Sequence, residues 1–513
     1  MCRDIQLERH SSMTRIPSCS TALALVLSAQ PILANITPEE VWAGWQSLAA
    51  SSGQDVSFES EVKQGDTLVV TKVVAAQSDP EGGSYSATID QLSFKHNGDG
   101  TVSVTMSDSY PVTVDMPDDG EGASSLKLTV SQPGLVITAS GTPEAASYDI
   151  TAPTVSVTLD EATEGGTKLE TTATLAMTEL AASYLVTPKG TATGLDSSFS
   201  AKSIALDIDG KDASGTSEGT VTLSLTDLAG GAKANLLKPE VMENMATALN
   251  QGFTTESNFS FGAMAVDFDI TDASGPMKLA GGINGGDFSL GIDKDKVSYG
   301  TALRAGSFTA SGAEIPFPEV VVGFSETAFS ILMPVSKSET PQDFAFVTKL
   351  VDFTISEDVW GMFDPGATLA RDPASFVFDV KGTGFWKADI MDPAFQMEGA
   401  EPPGELSALD LNEVRVKAAG AEVDAKGGVT FDNTDLVSFQ GVPAPTGVIT
   451  INIKGANTLI DNLIAMGLLP EDQAMGARMM MGMFARPGAG PDELTSEIEF
   501  KDGGLFANGQ QLQ

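Results

Sequence analysis

Val448-Ile449-Thr450-Ile451-Asn452-Ile453, followed by Ala456-Asn457-Thr458-Leu459-Ile460-Asp461-Asn462-Leu463-Ile464-Ala465-Met466, is the stretch whose reading decides the fold. The first segment alternates around β-branched residues, the period of a half-buried strand. The second sets Leu459, Ile460, Leu463 and Ile464 on one stripe at helical spacing, with Asp461 and Asn462 facing away. Gly467 stands where a C-terminal cap belongs. Pro470 then opens a second helix, with Glu471 and Asp472 in its first turn and Arg486-Pro487 as its end. The short connection predicts an antiparallel helical hairpin over 456–485. Its second arm carries Met475, Met479, Met480, Met481 and Met483. Thioether sulfur can ligate Cu(I); the plainer expectation is flexible side chains filling an irregular groove between helix and sheet. Leu459, Ile460, Leu463, Ile464, Met479 and Met483 are therefore the candidate cover of an apolar groove.

Everything upstream reads as sheet in need of such a cover. Ile36-Thr37-Pro38-Glu39-Glu40-Val41 starts a helix, with Thr37 as cap, Glu40 completing a capping box and Ile36 able to staple onto Val41. That helix carries Trp42, Trp45 and Leu48 and ends at Gly53. Alternating segments follow at Thr101 to Met106, Leu126 to Val130, Thr154 to Leu159, Ser203 to Ile208 and Thr220 to Leu225, with Asn97-Gly98 as a hairpin turn. One dry and one wet face is the mark of antiparallel sheet. From Phe259 to Ile355 the sheet is richer in Phe and Gly. Helices are expected at about 38–52, 238–251, 357–363 and 456–485. A boundary near residue 250 divides the chain into β-rich units 35–250 and 251–513. Glu357-Asp358-Val359-Trp360, followed by Phe363, echoes Glu39-Glu40-Val41-Trp42, followed by Trp45, and suggests two units built alike. Met391 to Glu405, rich in Pro, reads as a long surface loop.

On the order of 20–25 strands at about 4.8 Å spacing would span roughly 100 Å. Four or five helices, each about 10 Å wide, cover about half of that dry face. The remainder must fold on itself or stay open to something apolar. The expected fold is mainly β: a long meandering antiparallel sheet, curved and groove- or sandwich-like, with a few covering helices. A membrane barrel is disfavoured by only 5 Tyr, by strands that look short, and by Gln513 as the last residue.

Residues 1–34 read as an upstream extension plus a cleavable signal peptide. Arg15 supplies the positive region, Thr21 to Ala29 the apolar run and Ile32-Leu33-Ala34 the cleavage site. The run is too short to span a bilayer, so a periplasmic, non-spanning product is expected. Both cysteines, Cys2 and Cys19, would leave with the signal, and His96 would remain as the one histidine. The chain's net charge is −40, and removing a segment of net +1 leaves −41. So acidic a surface repels nucleic acid and anionic headgroups.

Sites for chemistry are sparse. Nucleophilic catalysis has little support, since both cysteines would leave with the signal and His96 sits beside the Asn97-Gly98 turn. Gly281-Gly282-Ile283-Asn284-Gly285-Gly286 lies between strands rather than opening a helix, so it reads as a bend and not a phosphate loop. Asp207, Asp209 and Asp212, or Asp293 and Asp295, could hold Ca²⁺ but lack the twelve-residue loop pattern, and acidic hairpin turns account for them. No catalytic residue, cofactor or metal site is expected.

Two resemblances add to this. Asp352-Phe353-Thr354-Ile355-Ser356, Val359-Trp360-Gly361-Met362-Phe363-Asp364-Pro365, Arg371-Asp372-Pro373-Ala374, Leu468-Leu469-Pro470-Glu471-Asp472-Gln473, Met475-Gly476-Ala477-Arg478-Met479-Met480 and Ala507-Asn508-Gly509-Gln510 together resemble an exported alphaproteobacterial family of unknown function. More distantly, long meandering sheet ending in strand–helix–strand with a final Asn-Gly is similar to the AsmA-like periplasmic proteins. That resemblance implies a β-groove associated with envelope lipids. The expected function is thus non-catalytic binding of lipid or of an apolar segment of an envelope protein. The alternatives are a structural envelope scaffold without ligand and an unrecognised carboxylate-dependent hydrolase.

Overall fold

The alternating segments zip into one sheet. A computed structural model describes residues 35–51, 53–78, 82–117, 123–189, 192–212, 215–392, 395 and 403–512. Residues 1–34, read above as an extension plus signal peptide and holding Cys2 and Cys19, and most of 391–405, read above as a surface loop, lie outside these residues. Among the described residues twenty-eight strands, some only two residues long, form a single sheet in which every strand pairing is antiparallel. From Thr67–Ser78 to Gln510–Gln511 the order is a meander, and the described ends do not pair with each other. The chain is mainly β, as its composition and alternation predict, and the sheet does not close into a barrel.

The strands are longer than their sequence patterns imply. Thr154 to Leu159 is part of Ala145–Glu164, Ser203 to Ile208 part of Ala192–Lys211, and Thr220 to Leu225 part of Glu218–Leu236. The short-strand reading is corrected, and the cause is a phase slip. Inward residues of Glu218–Leu236 are Val221, Leu223 and Leu225, then Leu228, Gly230 and Ala232. Those of Thr171–Lys189 are Leu175 and Met177, then Leu180, Ala182 and Tyr184. At each slip one residue takes a left-handed conformation: Lys72 (φ 53°), Glu179 (49°), Asp227 (51°), Ala305 (49°) and Asp352 (52°). Such a residue costs about 1 kcal/mol or more when it is not glycine, and the ladder there skips one residue on each strand without changing register.

These slips line up across strands. Asp227 falls opposite Lys202, and Ala305 and Asp352 flank Ser325 from either side. On the outer face, Lys72 pairs with Asp90 (2.5 Å), Lys202 with Asp227, and Ser325 Oγ donates to Asp352 Oδ2 (3.0 Å). The result is a crease running across the sheet. Between Ser84–His96 and Ala145–Glu164 the crease is crossed by pairs of short strands, Val102–Met106 with Ser109–Met116 and Ser124–Ser131 with Val136–Thr142. The same split recurs between Glu218–Leu236 and Lys296–Gly312. The likeness within the chain thus lies in the sheet; the echoing helices Pro38–Ser51 and Glu357–Phe363 stand at different places in the strand order.

Helices sit at the margins. Glu40 Oε2 accepts from the Thr37 amide (2.9 Å) and hydroxyl (2.8 Å), the reciprocal cap that the sequence predicts. Ile36, Val41 and Trp42 are buried with Leu68, Val70, Phe94, Val104 and Ile137, so the first helix plugs one end of the sheet's apolar face. The helix expected over 238–251 is two short ones, Pro239–Met242 and Met245–Asn250, because Asn244 turns outward to cap the second through Thr247 N (2.9 Å). Glu357–Phe363 is helical as expected.

Beyond that helix Asp364 is almost fully buried and accepts from Thr368 N (3.0 Å), Leu369 N (2.8 Å) and Arg371 Nη1 (2.6 Å). Arg371 also reaches Glu357 and lies 4.6 Å over the Trp360 ring. Burial alone would raise the Asp364 pKa; the two amides and the guanidinium outweigh it and hold the carboxyl below its ordinary value. A depressed folded pKa stabilises above the ordinary carboxylate range and loses that contribution as pH falls through the folded value. Arg371→Ala is therefore expected to lower Tm at neutral pH and to move the onset of acid unfolding to higher pH. Arg371→Lys should recover only part, since it keeps the charge without the fork. Thermal melts across the acid range check this.

Candidate functional site

The site is the inner face of the creased sheet. Residues paired across antiparallel strands share a face, so one inward row can be followed through the register. It runs Leu68, Phe94, Val104, Ile137, Ile150, Ala182, Phe199, Gly230 and Phe259. It continues Phe288, Thr301, Phe329, Thr348, Phe378, Val414, Ala425, Ile451 and Ser496. The row is roughly 80 Å long at about 4.8 Å per strand. A neighbouring row joins Leu290, Tyr299, Ile331, Phe346, Val380 and Leu411. Across the crease a third joins Val157, Leu175, Leu206, Leu223 and Val266. None of these positions carries a charge.

Burial shows the shape. Beside the crease Leu228 is 3% and Phe261 7% exposed, whereas Leu290 is 44% and Phe329 38% exposed nearer the strand ends. The crease is the floor of a trough and the strand ends are its lips. Aromatic rings bridge the strands of one wall: Phe259–Phe288 (centroids 6.1 Å), Tyr299–Phe329 (6.0 Å), Phe329–Phe346 (5.5 Å) and Phe346–Phe378 (5.9 Å). Ion pairs decorate the opposite face, among them Lys278–Asp269 (2.6 Å) and Lys127–Glu161 (2.6 Å). The open remainder of the dry face, left unresolved by counting strands against helices, is this trough.

Toward the plugged end Tyr148 and Tyr184 stack at 4.8 Å. Burial, reinforced by Tyr148, pushes the Tyr184 phenol up to about 12. A raised folded pKa stabilises fully below the ordinary phenol value and is lost as pH rises through the folded one. An ultraviolet titration of the phenols is expected to show a late-ionising step that Tyr184→Phe removes.

The helical hairpin stands at the other end. Ser496 Oγ (2.5 Å) and Asn508 Nδ2 (2.9 Å) both donate to the Phe484 carbonyl, tying the second helix, Glu471–Phe484, to the last inward position of the long row. Asp492 caps the first helix, Ala456–Ala465, from a distant strand lead: it accepts from Asn457 N (3.1 Å), Thr458 N (2.8 Å) and both side chains. Those bonds outweigh burial and lower its pKa. Gly467 takes φ 72°, and the Leu468 amide donates to Leu463 O (2.9 Å), as a left-handed C-terminal cap requires.

Of the candidate cover residues, Leu459, Ile460, Leu463 and Ile464 are partly buried, and their helix touches the strand Ala421–Asp432. Met479 and Met483, with Met475 and Met480, are exposed. The expectation that the methionines fill a groove under the helix is corrected for Met475, Met479, Met480 and Met483, because Ala474 is the buried residue of that helix and turns positions 475, 479 and 483 away, while Met481 is partly buried.

The other motifs sit in turns and at the crease. Asp212 accepts from the amides of Thr216 (2.8 Å) and Ser217 (3.1 Å), and Asp293 from those of Asp295 (2.8 Å) and Lys296 (2.9 Å). Among the described residues no three acidic, His or Cys side chains gather as a metal site. His96 Nδ1 accepts from Gly98 N (3.1 Å) in its turn. Asn284-Gly285 lies on the crease: Asn284 N donates to Arg304 O (2.9 Å), and Arg304 N to Gly285 O (3.0 Å). No helix among the described residues is long and apolar enough to cross a membrane.

Residues 362–512 match a family model described as an uncharacterized protein conserved in bacteria (DUF2125). The match covers the last strands and the hairpin, so this part of the chain is similar to a bacterial family of unknown function. No curated protein and no solved structure matches the chain.

Proposed function

We propose that the trough holds acyl chains of envelope lipids and that the protein works without catalysis, in the periplasm, after removal of its leader. The observation carrying this reading is the set of uncharged inward rows whose large side chains stay partly exposed along the lips. Burying them against a ligand would contribute about 25 cal/mol for each Å² of apolar surface removed from water. The backbone argues for lipid over peptide. The N–H and C=O groups beneath the rows are used in the ladder, so an extended peptide in the trough would strand its own polar groups at about 1–3 kcal/mol each. An acyl chain has none to strand.

Native mass spectrometry of protein purified without detergent tests the reading. Lipid at a fixed ratio is the expected result. Bare protein, together with no binding of a fluorescent fatty acid, would leave a scaffold without ligand as the better description. Cell fractionation with N-terminal sequencing tests the compartment, with a start near Asn35 expected.

A further inference from the structure

Near the lip of the C-terminal half the trough deepens into a pocket of about 400 Å³ bounded by Ile331, Met333, Phe344, Gly384, Trp386 and Leu406. Glycine allows close packing in and beside this wall. A Cβ at Gly384 would stand 2.7 Å from the Glu405 carbonyl, and one at Gly382 would stand 2.5 Å from the Phe344 ring. Trp386 forms a fixed wall. Its indole Nε1 donates to Pro334 O (2.6 Å), and its carbonyl accepts from Ser338 N (2.9 Å). The one polar atom of that ring is thereby satisfied within the protein, and the lining is otherwise almost wholly apolar.

We propose that this pocket seats a single acyl chain, packed against Trp386, and so sets the position of a lipid within the trough. The inference rests on the reading of the trough as a lipid site and adds where a chain is held. The volume lies at the lower end of the range for ligand pockets, about 300–1,000 Å³, which suits one chain rather than several. Among the described lining residues Glu405 is the charged one and is paired with Lys387 (3.1 Å), so a polar or peptide occupant would lose much of its water with little compensation.

The test is quenching of tryptophan emission by stearate carrying bromine at mid-chain, since bromine quenches indole only near contact. Trp42 and Trp45 belong to the plugged end, and Trp360 lies beneath Arg371. Wild-type protein is expected to lose a saturable fraction of its emission, and Trp386→Phe to lose most of that response. Leu406→Phe, which narrows the pocket without adding charge, should raise the half-saturating concentration roughly tenfold. Binding of a fluorescent fatty acid without quenching of Trp386 would overturn the pocket and leave the trough standing. Absence of any fatty-acid binding would overturn both. Trp386→Phe also forfeits the bond to Pro334, so its melting is compared with wild type; if it does not fold, wild-type quenching and the Leu406→Phe shift decide the question.

Discussion

Phe94→Ala is expected to destabilise the plugged end of the sheet by about 3–5 kcal/mol, the usual cost of removing a buried ring and leaving its cavity. Phe94 is fully buried, and its ring meets Trp42 (5.7 Å) and Trp45 (5.4 Å) of the first helix. The loss should stay local. Each strand bonds only to its immediate neighbours, so stability is close to a sum of adjacent interfaces, as in a repeat protein. Hydrogen exchange should therefore accelerate in Thr67–Ser78, Ser84–His96 and Val102–Met106, while Ala374–Trp386 and Ala444–Lys454 keep their protection. Equal loss of protection along the whole sheet would contradict this picture of the fold.

Two aspartate substitutions on the same inner face should have opposite consequences. Leu228 lies beside the crease, where a carboxylate would be buried without a partner at a cost of several kcal/mol. Leu228→Asp is expected to fold poorly at neutral pH, with partial recovery under mild acid as the carboxyl is neutralised. Phe329 lies toward the lip and is partly exposed, so Phe329→Asp can keep its charge hydrated and should melt near wild type. It nevertheless places a charge between Thr301 and Thr348 in the long apolar row. Fatty-acid binding should weaken roughly tenfold or more, the scale on which a hydrophobic site discriminates its ligands. Melting curves and titration with a fluorescent fatty acid separate the two effects. If Phe329→Asp binds as wild type does, that part of the wall is not in contact with ligand.

The amino-acid sequence by itself determined the local structure. Thr37 and Glu40 cap the first helix, Gly467 ends another, and Asn97-Gly98 turns a hairpin, because caps and tight turns depend on side chains only a few residues apart. Period-two alternation likewise marked the antiparallel sheet and its dry face. Only the tertiary structure decided the trough. The step from Leu225 to Leu228 is present in the sequence, but it reads as the end of a strand, since a left-handed Asp227 inside a strand is unfavourable on local grounds alone. It is accommodated because the neighbouring strand skips Lys202 opposite it and the ladder resumes in the same register on either side. Asp492 caps a helix that begins 36 residues before it, and Phe259, Phe288, Phe329 and Phe378 meet one row only through register. Register is a property of pairs of strands, so residues that alternate correctly within each strand do not disclose which of them will share a wall.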